Sequence, residues 1–405
     1  MTDQNNHHII IISQHYPPDK SGNASRIRDM SNRLTKMGWD VTVLAPPPAF
    51  PHGEFDRSWR RKSSYTDNEV TIHRLWSWQP SKGDPGFISR MLYYVLFPIH
   101  AMFWLMIHFR SYDIVLTSSP PIFTGLAVFP ITLINRKPWV VDIRDLWIDA
   151  SISLGFIGEN SFSVKLSKLF QKQTLQLSDH VTVTTATISK RLAKDYQIET
   201  EKITLIPNGV DMRTFQSNGH ESEPTIIYTG NVGHAQDLAT CINAIALLET
   251  SNLQLQIVGN GDILDDLQDL AKEKNITNQV KFIDVQPRHK IPELLNKSLI
   301  GVAPLKNEGA LEYAIPTKVY EYMACGLPIV ATGSGEIEDI LQESGAGMVV
   351  ENSPDALANA FLQIYQNTDL QTEMGERGQQ FVYEKYDRKK ITERLNHLLL
   401  SLVES

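Results

Sequence analysis

Lys318 and Glu321 are two residue types that suit nucleotide binding, at a spacing that brings them together. The surrounding sequence predicts a helix, because Pro316 suits its first turn and Gly326 its end. Residues three positions apart share a helix face, so both side chains lie near the N-terminus, beside Thr317. There a lysine neutralises a diphosphate, and a glutamate accepts hydrogen bonds from ribose hydroxyls. The alternative is an ion pair within the helix, but a helix start after a strand favours nucleotide binding.

Glycine turns follow two strands in the same half of the chain. The first runs from Gly230 through Asn231 and Gly233 to Gln236, and the second is the segment 259–261. Because glycine has no side chain, such turns let a diphosphate approach backbone amides. Two of them at strand-to-helix junctions are more specific than one. The sequence therefore predicts a phosphate site at these turns.

Gly22 lies in a similar position after the first predicted strand and opens a helix. Free N–H groups at a helix N-terminus favour phosphate. The loop does not have the glycine pattern of classical dinucleotide binding, and a purely structural turn would have the same sequence. Both interpretations of Gly22 stay open at this point.

Arg144 and Asp145 follow the predicted strand 138–143. Charged residues at the carboxyl end of a buried strand lie where ligands bind in α/β sheets. If the strand continues, the two side chains point to opposite faces, so at most one of them faces a ligand. The alternative is an Arg–Asp pair that caps the strand end. Position favours a functional role.

The elements that carry these residues alternate between strand and helix patterns, which predicts an α/β protein with parallel sheets. A chain of 405 residues is long enough for two domains. We predict two Rossmann-like, doubly wound domains that face each other across a cleft: 1–212, and 224–385 after a polar stretch. An amphipathic helix in 386–405 returns to the first domain. Predicted strands are His8 to Ser13, 39–45, 70–74, 113–117, 138–143, 181–185, 203–206, 225–229, 253–258, 280–285, 299–303 and 328–332.

The segment 91–107, within a predicted helix near 88–110, is apolar on almost every side. It could be a buried core helix, a membrane span, or a helix in the membrane interface. A span would separate the strands of the first domain, so we reject it. We favour the interface, because Tyr93, Tyr94, Phe97, Phe103 and Trp104 point in too many directions for one packing partner. A nearby run, 57–62, clusters four cations around a tryptophan, which suits anionic headgroups, although a solvated loop is the more common outcome.

Composition narrows the class of protein. Residues 1–210 carry 23 Lys and Arg against 18 Asp and Glu, and residues 211–405 carry 15 against 28. An acidic second half argues against nucleic acid as a partner. Two cysteines, Cys241 and Cys325, indicate buried thiols in a reducing compartment. No signal peptide pattern and no Asp-x-Asp element are present, so we expect a cytoplasmic protein that needs no metal and no cofactor.

These pieces together resemble family 4 (group 1) glycosyltransferases, retaining enzymes of the two-domain GT-B fold. The resemblance is nearest to the subgroup that adds amino sugars to lipid-linked precursors of bacterial surface polysaccharides, such as O-antigen or capsule. It extends from residue 14 to 332. Its motifs are PPDKSGNASR, DIRDLW, IPNGVD, YTGNVGHAQDL, VGNGD and IPTKVYEYMACGLPIVAT.

The resemblance implies roles for individual residues. Glu321 would bind the donor ribose and Lys318 the diphosphate. Gly22 and the turn 230–236 would line the donor phosphates, and Arg144 and Asp145 would lie at the acceptor and reaction centre. The chain departs from the family pattern where many members have an Arg and a Lys in the turn 230–236, which leaves Arg288 and Lys318 as the cations for the diphosphate. The paired-glutamate spacing also differs, with Tyr313 eight residues before Glu321 and Glu308 and Glu312 nearby.

The resemblance implies transfer of an N-acetylated amino sugar from a UDP-sugar to a polyprenyl-diphosphate-linked saccharide, at the inner face of the cytoplasmic membrane. The expected catalytic set is Arg144, Asp145 and Lys318. Two other functions stay open. A sugar-nucleotide 2-epimerase shares the fold, and a non-catalytic partner subunit would bind the nucleotide without turnover.

Overall fold

The computed structural model describes residues 7–81, 85–131, 137–153, 158–219, 223–248, 251–306 and 312–405. Its contacts divide the chain into two compact units. The first comprises Met1–Pro207 and Thr392–Ser405, and the second comprises Asn208–Ile391. Each unit has its own sheet, in which parallel strands alternate with helices.

The first unit is built on an eight-stranded sheet in the order β3-β4-β2-β1-β5-β6-β7-β8. All neighbours are parallel except β3, which runs antiparallel to β4. The central strand β1 contributes four isoleucines that are completely buried, as a strand covered on both faces requires. Its strands are β1 (His8–Ile12), β2 (Asp40–Ala45), β3 (Lys62–Asp67), β4 (Val70–Leu75), β5 (Ile114–Ser119), β6 (Trp139–Ile143), β7 (His180–Val183) and β8 (Ile203–Leu205).

Five helices connect these strands, and a short 3-10 helix, Ile122–Ala127, follows β5. Ser21 caps the first helix by accepting a hydrogen bond from the N–H of Ala24. The helices are α1 (Gly22–Lys36), α2 (Phe87–Ile107), α3 (Trp147–Ser153), α4 (Phe162–Leu177) and α5 (Ala186–Tyr196).

The second unit has a six-stranded, fully parallel sheet in the order β11-β10-β9-β12-β13-β14. The strands are β9 (Thr225–Thr229), β10 (Gln254–Val258), β11 (Val280–Ile283), β12 (Ile300–Ala303), β13 (Ile329–Ala331) and β14 (Gly347–Val349). The helices are α6 (Leu238–Ala246), α7 (Leu264–Glu273), α8 (Ile291–Lys297), α9 (Thr317–Ala324), α10 (Glu336–Ser344), α11 (Pro354–Tyr365), α12 (Thr368–Lys385) and α13 (Arg388–Val403).

The prediction of two Rossmann-like α/β units is confirmed, and so are all twelve predicted strands, apart from shifts at their ends. Two strands were missed. The sequence of β3 (KSSYTD) is polar and exposed, so it has no apolar alternation to read. The strand β14 has only three residues, which is too short for a pattern.

The helix α13 begins in the second unit, and its residues from Thr392 onward group with the first unit. Within the first unit, the Nε1–H of Trp39 donates to Asn396 Oδ1 at 2.6 Å, and Leu395 and Leu399 are buried. The contacts place the division between the units at 207/208, where the sequence analysis placed the first domain's end at 212.

The helix α2 has two apolar faces. Tyr93, Phe97, Ala101, Trp104 and Leu105 recur three or four positions apart and are all buried. The aromatic side chains were expected to point in too many directions for one packing partner. This expectation is wrong for Tyr93, Phe97 and Trp104, which share one packed face. The opposite face is apolar and exposed, and it comprises Ile88, Leu92, Phe103 and Met106. By length and composition Ile88–Ile107 could also cross a membrane, which is weak evidence by itself.

A close contact in the second unit fixes where α9 lies. Tyr322 of α9 packs its ring directly against Gly301 of β12, where any side chain would overlap the ring. Its hydroxyl accepts a hydrogen bond from the N–H of Thr229, the last residue of β9, at 2.9 Å. One tyrosine thus joins α9 to two adjacent strands, to the interior of β12 and to the end of β9.

Gly301→Ala should lower the free energy of unfolding by about 1–3 kcal/mol, because the new methyl group would displace the Tyr322 ring in a packed interior. Urea unfolding followed by circular dichroism measures the change. Gly158→Ala is the matched control, since a Cβ there meets no atom of the described residues within 4 Å, and it should change stability by less than about 0.5 kcal/mol. Equal stability of the two variants would contradict the packing described here.

Candidate functional site

The carboxyl end of β9 is the topological switch point of the second sheet. After β9 the chain continues outward to β10 and β11, then returns to the other side of β9 with β12. Open α/β sheets bind ligands at such a point, beyond the carboxyl ends of the strands. The turn that starts at Gly230 follows β9, and α9 follows β12, so both predicted nucleotide motifs meet here.

The first glycine turn is held by backbone hydrogen bonds. The N–H of Gly230 donates to the carbonyl of Val258 at 2.9 Å, and the N–H of Val232 donates to the carbonyl of Asn260 at 3.0 Å. Gly230 has φ +133°, a conformation that L side chains rarely adopt. The turn therefore requires glycine at this position for its own backbone.

The second glycine turn is adjacent to the first, and its glycines have a structural explanation. A side chain at Gly259 would overlap the carbonyl of Gly230, and one at Gly261 would overlap the carbonyl of Val232. The sequence analysis assigned this turn to diphosphate binding. The contacts show that positions 259 and 261 are glycines because the backbone of the first turn packs against them.

Asn231, Gly233 and Gln236 lie together in the first turn. A Cβ on Gly233 would lie 2.5 Å from Asn231 Nδ2 and 3.5 Å from Gln236 Oε1. Gln236 Oε1 is buried, and no described residue forms a hydrogen bond with it. A buried amide oxygen without a partner costs free energy, so it is suited to accept a hydrogen bond from a ligand.

Lys318 extends from the start of α9 into this turn. Its Nζ lies 3.5 Å from the centroid of the Tyr228 ring and 3.3 Å from the position that a Cβ on Gly230 would take. Burial lowers the pKa of Lys318 to about 7, against an opposing effect of the Glu321 carboxylate. The lysine is thus a half-buried cation beside an aromatic face, and an anion would stabilise it.

Glu321 lies one turn further along α9 and is buried. Its partner is Arg288, whose Nη2 lies 2.7 Å from Glu321 Oε1, so the intrahelical pair with Lys318 is not the arrangement found. The Arg288 guanidinium also stacks over the Phe215 ring, with 5.2 Å from Cζ to the ring centroid. About half of the Arg288 side chain remains exposed, which leaves room for a ligand beside it.

The N-terminus of α9 adds a further attraction for anions. Thr317 is its first residue and is exposed, and the preceding Pro316 makes no side-chain cap. Uncapped N–H groups at a helix start carry a partial positive charge. Of the predicted donor-site residues, the structure brings together those of the second unit: Gly230, Asn231, Gly233, Gln236, Arg288, Thr317, Lys318 and Glu321.

In the first unit, Arg144 belongs to a buried network around Asp142 of β6. The Asp142 carboxylate lies 2.6 Å from Arg26 Nη2 and 3.1 Å from Arg144 Nε, and it accepts a hydrogen bond from Thr182 at 2.7 Å. Burial raises the pKa of Asp142, but the two guanidinium groups and Thr182 outweigh it and hold that pKa below its usual range. Arg144 also donates to the carbonyl of Ile206 at 2.6 Å.

An Arg–Asp pair therefore does lie at this strand end, and it joins Arg144 to Asp142 of β6. Arg144 holds β6 and the segment after β8 together, so the structure supports a structural role for its guanidinium. Asp145 lies beyond the end of β6 and is half-buried. The predicted catalytic roles of Arg144 and Asp145 stay predictions.

Gly22 is the first residue of α1, and within the part of the chain that the structure describes a Cβ there would meet nothing within 4 Å. The fold of the first unit therefore does not need glycine at this position. Open space at a helix start is compatible with the predicted phosphate contact, which also stays a prediction. Glu308 lies outside the described residues, while Glu312 is exposed and Tyr313 is buried.

Sequence reasoning missed Tyr228 and Arg26. Tyr228 is an ordinary strand residue in sequence, and only the approach of Lys318 gives its ring a role. Arg26 could have been found, because a charged residue on the apolar face of α1 requires a buried partner. Among the described residues, no group of three or more His, Cys, Asp or Glu side chains could hold a metal ion.

Comparisons with known families identify the chain. Residues 21–214 match the family described as Glycosyltransferase Family 4, and residues 211–381 match the family described as Glycosyl transferases group 1. The chain is a group 1 glycosyltransferase. The candidate site of the second unit lies within the second of these matches.

Individual proteins agree with this assignment. A glycosyl transferase named for colanic acid biosynthesis, WcaI of Escherichia coli K12, is 24% identical over 86% of this chain and 89% of its own length. Sucrose-phosphate synthase from Thermosynechococcus elongatus superimposes with a TM-score of 0.76 at 18% identity, over 98% of this chain and 99% of that one. HepE of Anabaena, solved with UDP and glucose, has a TM-score of 0.71 at 13% identity, over 97% and 99%. At these identities the structural likeness shows the GT-B fold.

Lys318 should titrate near pH 7 in the free protein, because burial lowers the pKa of its ammonium to about 7. The pKa of an ordinary lysine is about 10.4. NMR of protein labelled at the lysine Cε carbon measures this directly. The resonance that titrates near pH 7 should vanish in Lys318→Met and persist in Lys281→Met, the exposed control. A Lys318 resonance that titrates above pH 9 would disprove the desolvation.

Proposed function

We propose that this glycosyltransferase moves an N-acetylated amino sugar from a UDP-sugar to a polyprenyl-diphosphate-linked saccharide in the assembly of a surface polysaccharide. The observation that carries the proposal is the half-buried Lys318 ammonium, which lies against the Tyr228 ring at a glycine turn and at an uncapped helix start. Two comparisons support it. WcaI is named for colanic acid biosynthesis, and HepE was solved with UDP.

In this proposal the second unit binds the donor. Lys318 and the N–H groups at the start of α9 bind the diphosphate, and Gln236 Oε1 accepts a hydrogen bond from the donor. Glu321 accepts hydrogen bonds from the ribose hydroxyls. Arg288 orients the Glu321 carboxylate through its 2.7 Å hydrogen bond to Oε1, and its exposed edge reaches toward the phosphates.

The proposed reaction retains the configuration at the anomeric carbon and uses no metal ion. The bond between C1 and the phosphate oxygen breaks, and the acceptor oxygen forms its bond to C1 on the same face. The departing diphosphate takes the proton of the acceptor hydroxyl. Negative charge grows on that diphosphate, so a lysine and a helix N-terminus preorganised around it lower the barrier.

A donor screen tests the function. Purified protein in detergent is offered UDP-, GDP- and dTDP-sugars, including N-acetylated 6-deoxy amino sugars, with a polyprenyl-diphosphate-linked sugar, and mass spectrometry detects the product. Transfer from a UDP-amino sugar is the expected result. Interconversion of the donor without acceptor would mean a 2-epimerase, and tight UDP binding without any turnover would mean a non-catalytic partner subunit.

UDP binding should depend on Lys318 and on pH. Lys318→Met and Glu321→Gln should each weaken UDP binding at least tenfold in isothermal titration calorimetry at pH 7, while Lys281→Met should not. Only the protonated lysine attracts the diphosphate. The pKa of Lys318 is about 7 in the free protein, and bound diphosphate raises it. Affinity should therefore fall as the pH rises above 7, with proton uptake on binding.

The slope with pH separates this effect from a general loss of charge. In Lys318→Met the fall in affinity between pH 7 and pH 9 should disappear. A wild-type affinity that is constant over this range, or a slope that survives in Lys318→Met, would remove Lys318 from the diphosphate site.

We also propose that the protein is cytoplasmic and binds peripherally to the inner face of the cytoplasmic membrane. The exposed apolar face of α2 supports this, as does a second helix of the first unit. On α4, Phe162, Leu166 and Leu169 form an exposed apolar stripe. Lys165 and Lys168 lie beside it, and α4 contains no acidic residue. Apolar side chains next to cations suit an anionic lipid surface.

Vesicle flotation tests the membrane proposal. Replacing Ile88, Leu92 and Phe103 of α2 with Ser should reduce binding to vesicles that contain an anionic lipid, and so should replacing Phe162, Leu166 and Leu169 of α4. The control replaces Leu247, Val285 and Tyr383, which are equally exposed in the second unit. Equal flotation of all three variants would rule out these helices as the lipid contact.

A further inference from the structure

Four aromatic side chains lie next to one another beside the carboxyl end of β1, each with two of the others as neighbours. His15 lies 5.6 Å from Phe50 and 6.3 Å from Tyr93, measured between ring centroids. His52 lies 5.8 Å from Phe50 and 5.8 Å from Tyr93. These four residues, which we call the aromatic ring cluster, come from three separate segments of the first unit. Tyr93 is fully buried, whereas Phe50 is exposed, so the cluster is open on one side.

The cluster lies at the topological switch point of the first sheet. The order β4-β2-β1-β5 shows that the chain moves outward from β1 and later returns to the other side of β1 with β5. Ligands of open α/β sheets bind beyond the strand ends at this point. Donor binding as proposed above does not use the cluster.

A buried carboxylate organises the cluster. Asp19 Oδ1 accepts hydrogen bonds from the N–H groups of Ala49 and Phe50, both at 2.8 Å. Asp19 Oδ2 lies 3.6 Å from His15 Nδ1. Burial raises the pKa of Asp19, but the His15 ring and the backbone N–H groups outweigh it and hold that pKa below its usual range. One charged group thus holds the loop that carries Phe50 and His52, and it faces His15.

The two imidazoles have defined orientations. His15 Nδ1 is buried and faces Asp19, so the opposite ring edge, with Nε2, is left for a ligand. His52 Nδ1 lies 2.8 Å from the carbonyl of Ala49. Burial lowers the pKa of His52, so its neutral ring donates through Nδ1–H and keeps Nε2 as an acceptor. The cluster therefore offers an aromatic face together with polar edges.

This chemistry suits a sugar ring. A pyranose has one face of C–H groups, which pack against an aromatic ring, and hydroxyl groups around its edge, which bond to imidazole nitrogens. A hydrocarbon chain would leave both imidazoles without partners, whereas a sugar offers a hydroxyl to each. The charges around the cluster are of both signs, with the buried Asp19 carboxylate beside His15 and the Arg90 guanidinium close enough to act on His52. Of these ligand classes, a neutral sugar is the one that satisfies all the groups present.

The cluster is also joined to the helix that we propose to contact lipid. The main-chain carbonyl of Tyr93 accepts hydrogen bonds from Gln14 Nε2 and Ser77 Oγ, both at 3.1 Å. Tyr93 lies on the packed face of α2, and the adjacent Leu92 lies on the exposed apolar face. The cluster and the exposed apolar face thus share one helix, α2.

We propose that the aromatic ring cluster binds the acceptor sugar, with Phe50 stacked on the sugar ring and with His15 and His52 bonded to its hydroxyls through Nε2. Asp19 acts as a positioning residue, since it touches the loop and His15 and not the sugar. The assignment of the bound sugar as the acceptor rests on the proposed function.

Binding is tested first, without turnover. Saturation-transfer NMR on the full chain, saturated with UDP, uses methyl glycosides of glucose, galactose, fucose and N-acetylglucosamine as probes. At least one glycoside should bind, and Phe50→Ala and His15→Ala should weaken it about tenfold. His397→Ala is the matched control, because His397 is an exposed histidine of the same unit far along the chain. Melting temperatures confirm that each variant is folded.

Turnover then separates this inference from the proposed function. If transfer occurs, Phe50→Ala should raise the acceptor KM about tenfold and leave the UDP Kd unchanged. If transfer occurs with an unchanged acceptor KM in Phe50→Ala and in His15→Ala, the cluster is not the acceptor site, and the proposed function is unaffected. Glycoside binding that depends on Phe50, without any transfer, would support the cluster as a sugar site and reject the function. No binding of any glycoside, or binding that is equal in all variants, would overturn the cluster.

Discussion

The contact between the Lys318 ammonium and the ring of Tyr228 is the interaction on which the candidate site depends. Burying a cation is costly, and an aromatic face compensates only part of that cost. The contact needs a glycine at 230 to leave room, a second glycine turn packed beneath the first, and Tyr322 to hold α9 against β9. These three features of the second unit together hold one half-buried ammonium group in place, and a bound anion would stabilise it.

The first unit uses buried carboxylates in a comparable way. Asp142 holds two arginines at the end of β6, and Asp19 holds a loop and a histidine beyond the end of β1. Neither carboxylate is exposed enough to meet a ligand itself. Each fixes the groups around a strand end, where loops would otherwise be free to adopt many conformations. The same type of residue thus has a supporting role in the first unit, while in the second unit the buried Glu321 lies in the candidate site itself.

The sequence predicted those parts of the fold that depend on local patterns. β-branched runs such as HIIII predict buried strands, and Pro316 with Gly326 predicts the bounds of α9. It could not predict the pairing of Arg288 with Glu321, because the partners are 33 residues apart and meet only after folding. The role of Gly259 likewise depends on a backbone carbonyl of another turn. For α2, the composition indicated an apolar helix. The spacing of Tyr93, Phe97 and Trp104 places them on one side of that helix. Their burial on that side depends on tertiary packing, which the sequence pattern does not show.

The two-sided character of α2 has a thermodynamic consequence. Membrane-binding helices that are unstructured in water must fold when they adsorb, and the entropy lost in that step reduces their affinity. In α2 the inner face is part of the protein core, so its backbone is already ordered. A bilayer that meets the outer face would therefore gain the free energy of apolar burial without an ordering cost, and the attached sheet would approach the lipid surface as one preformed body.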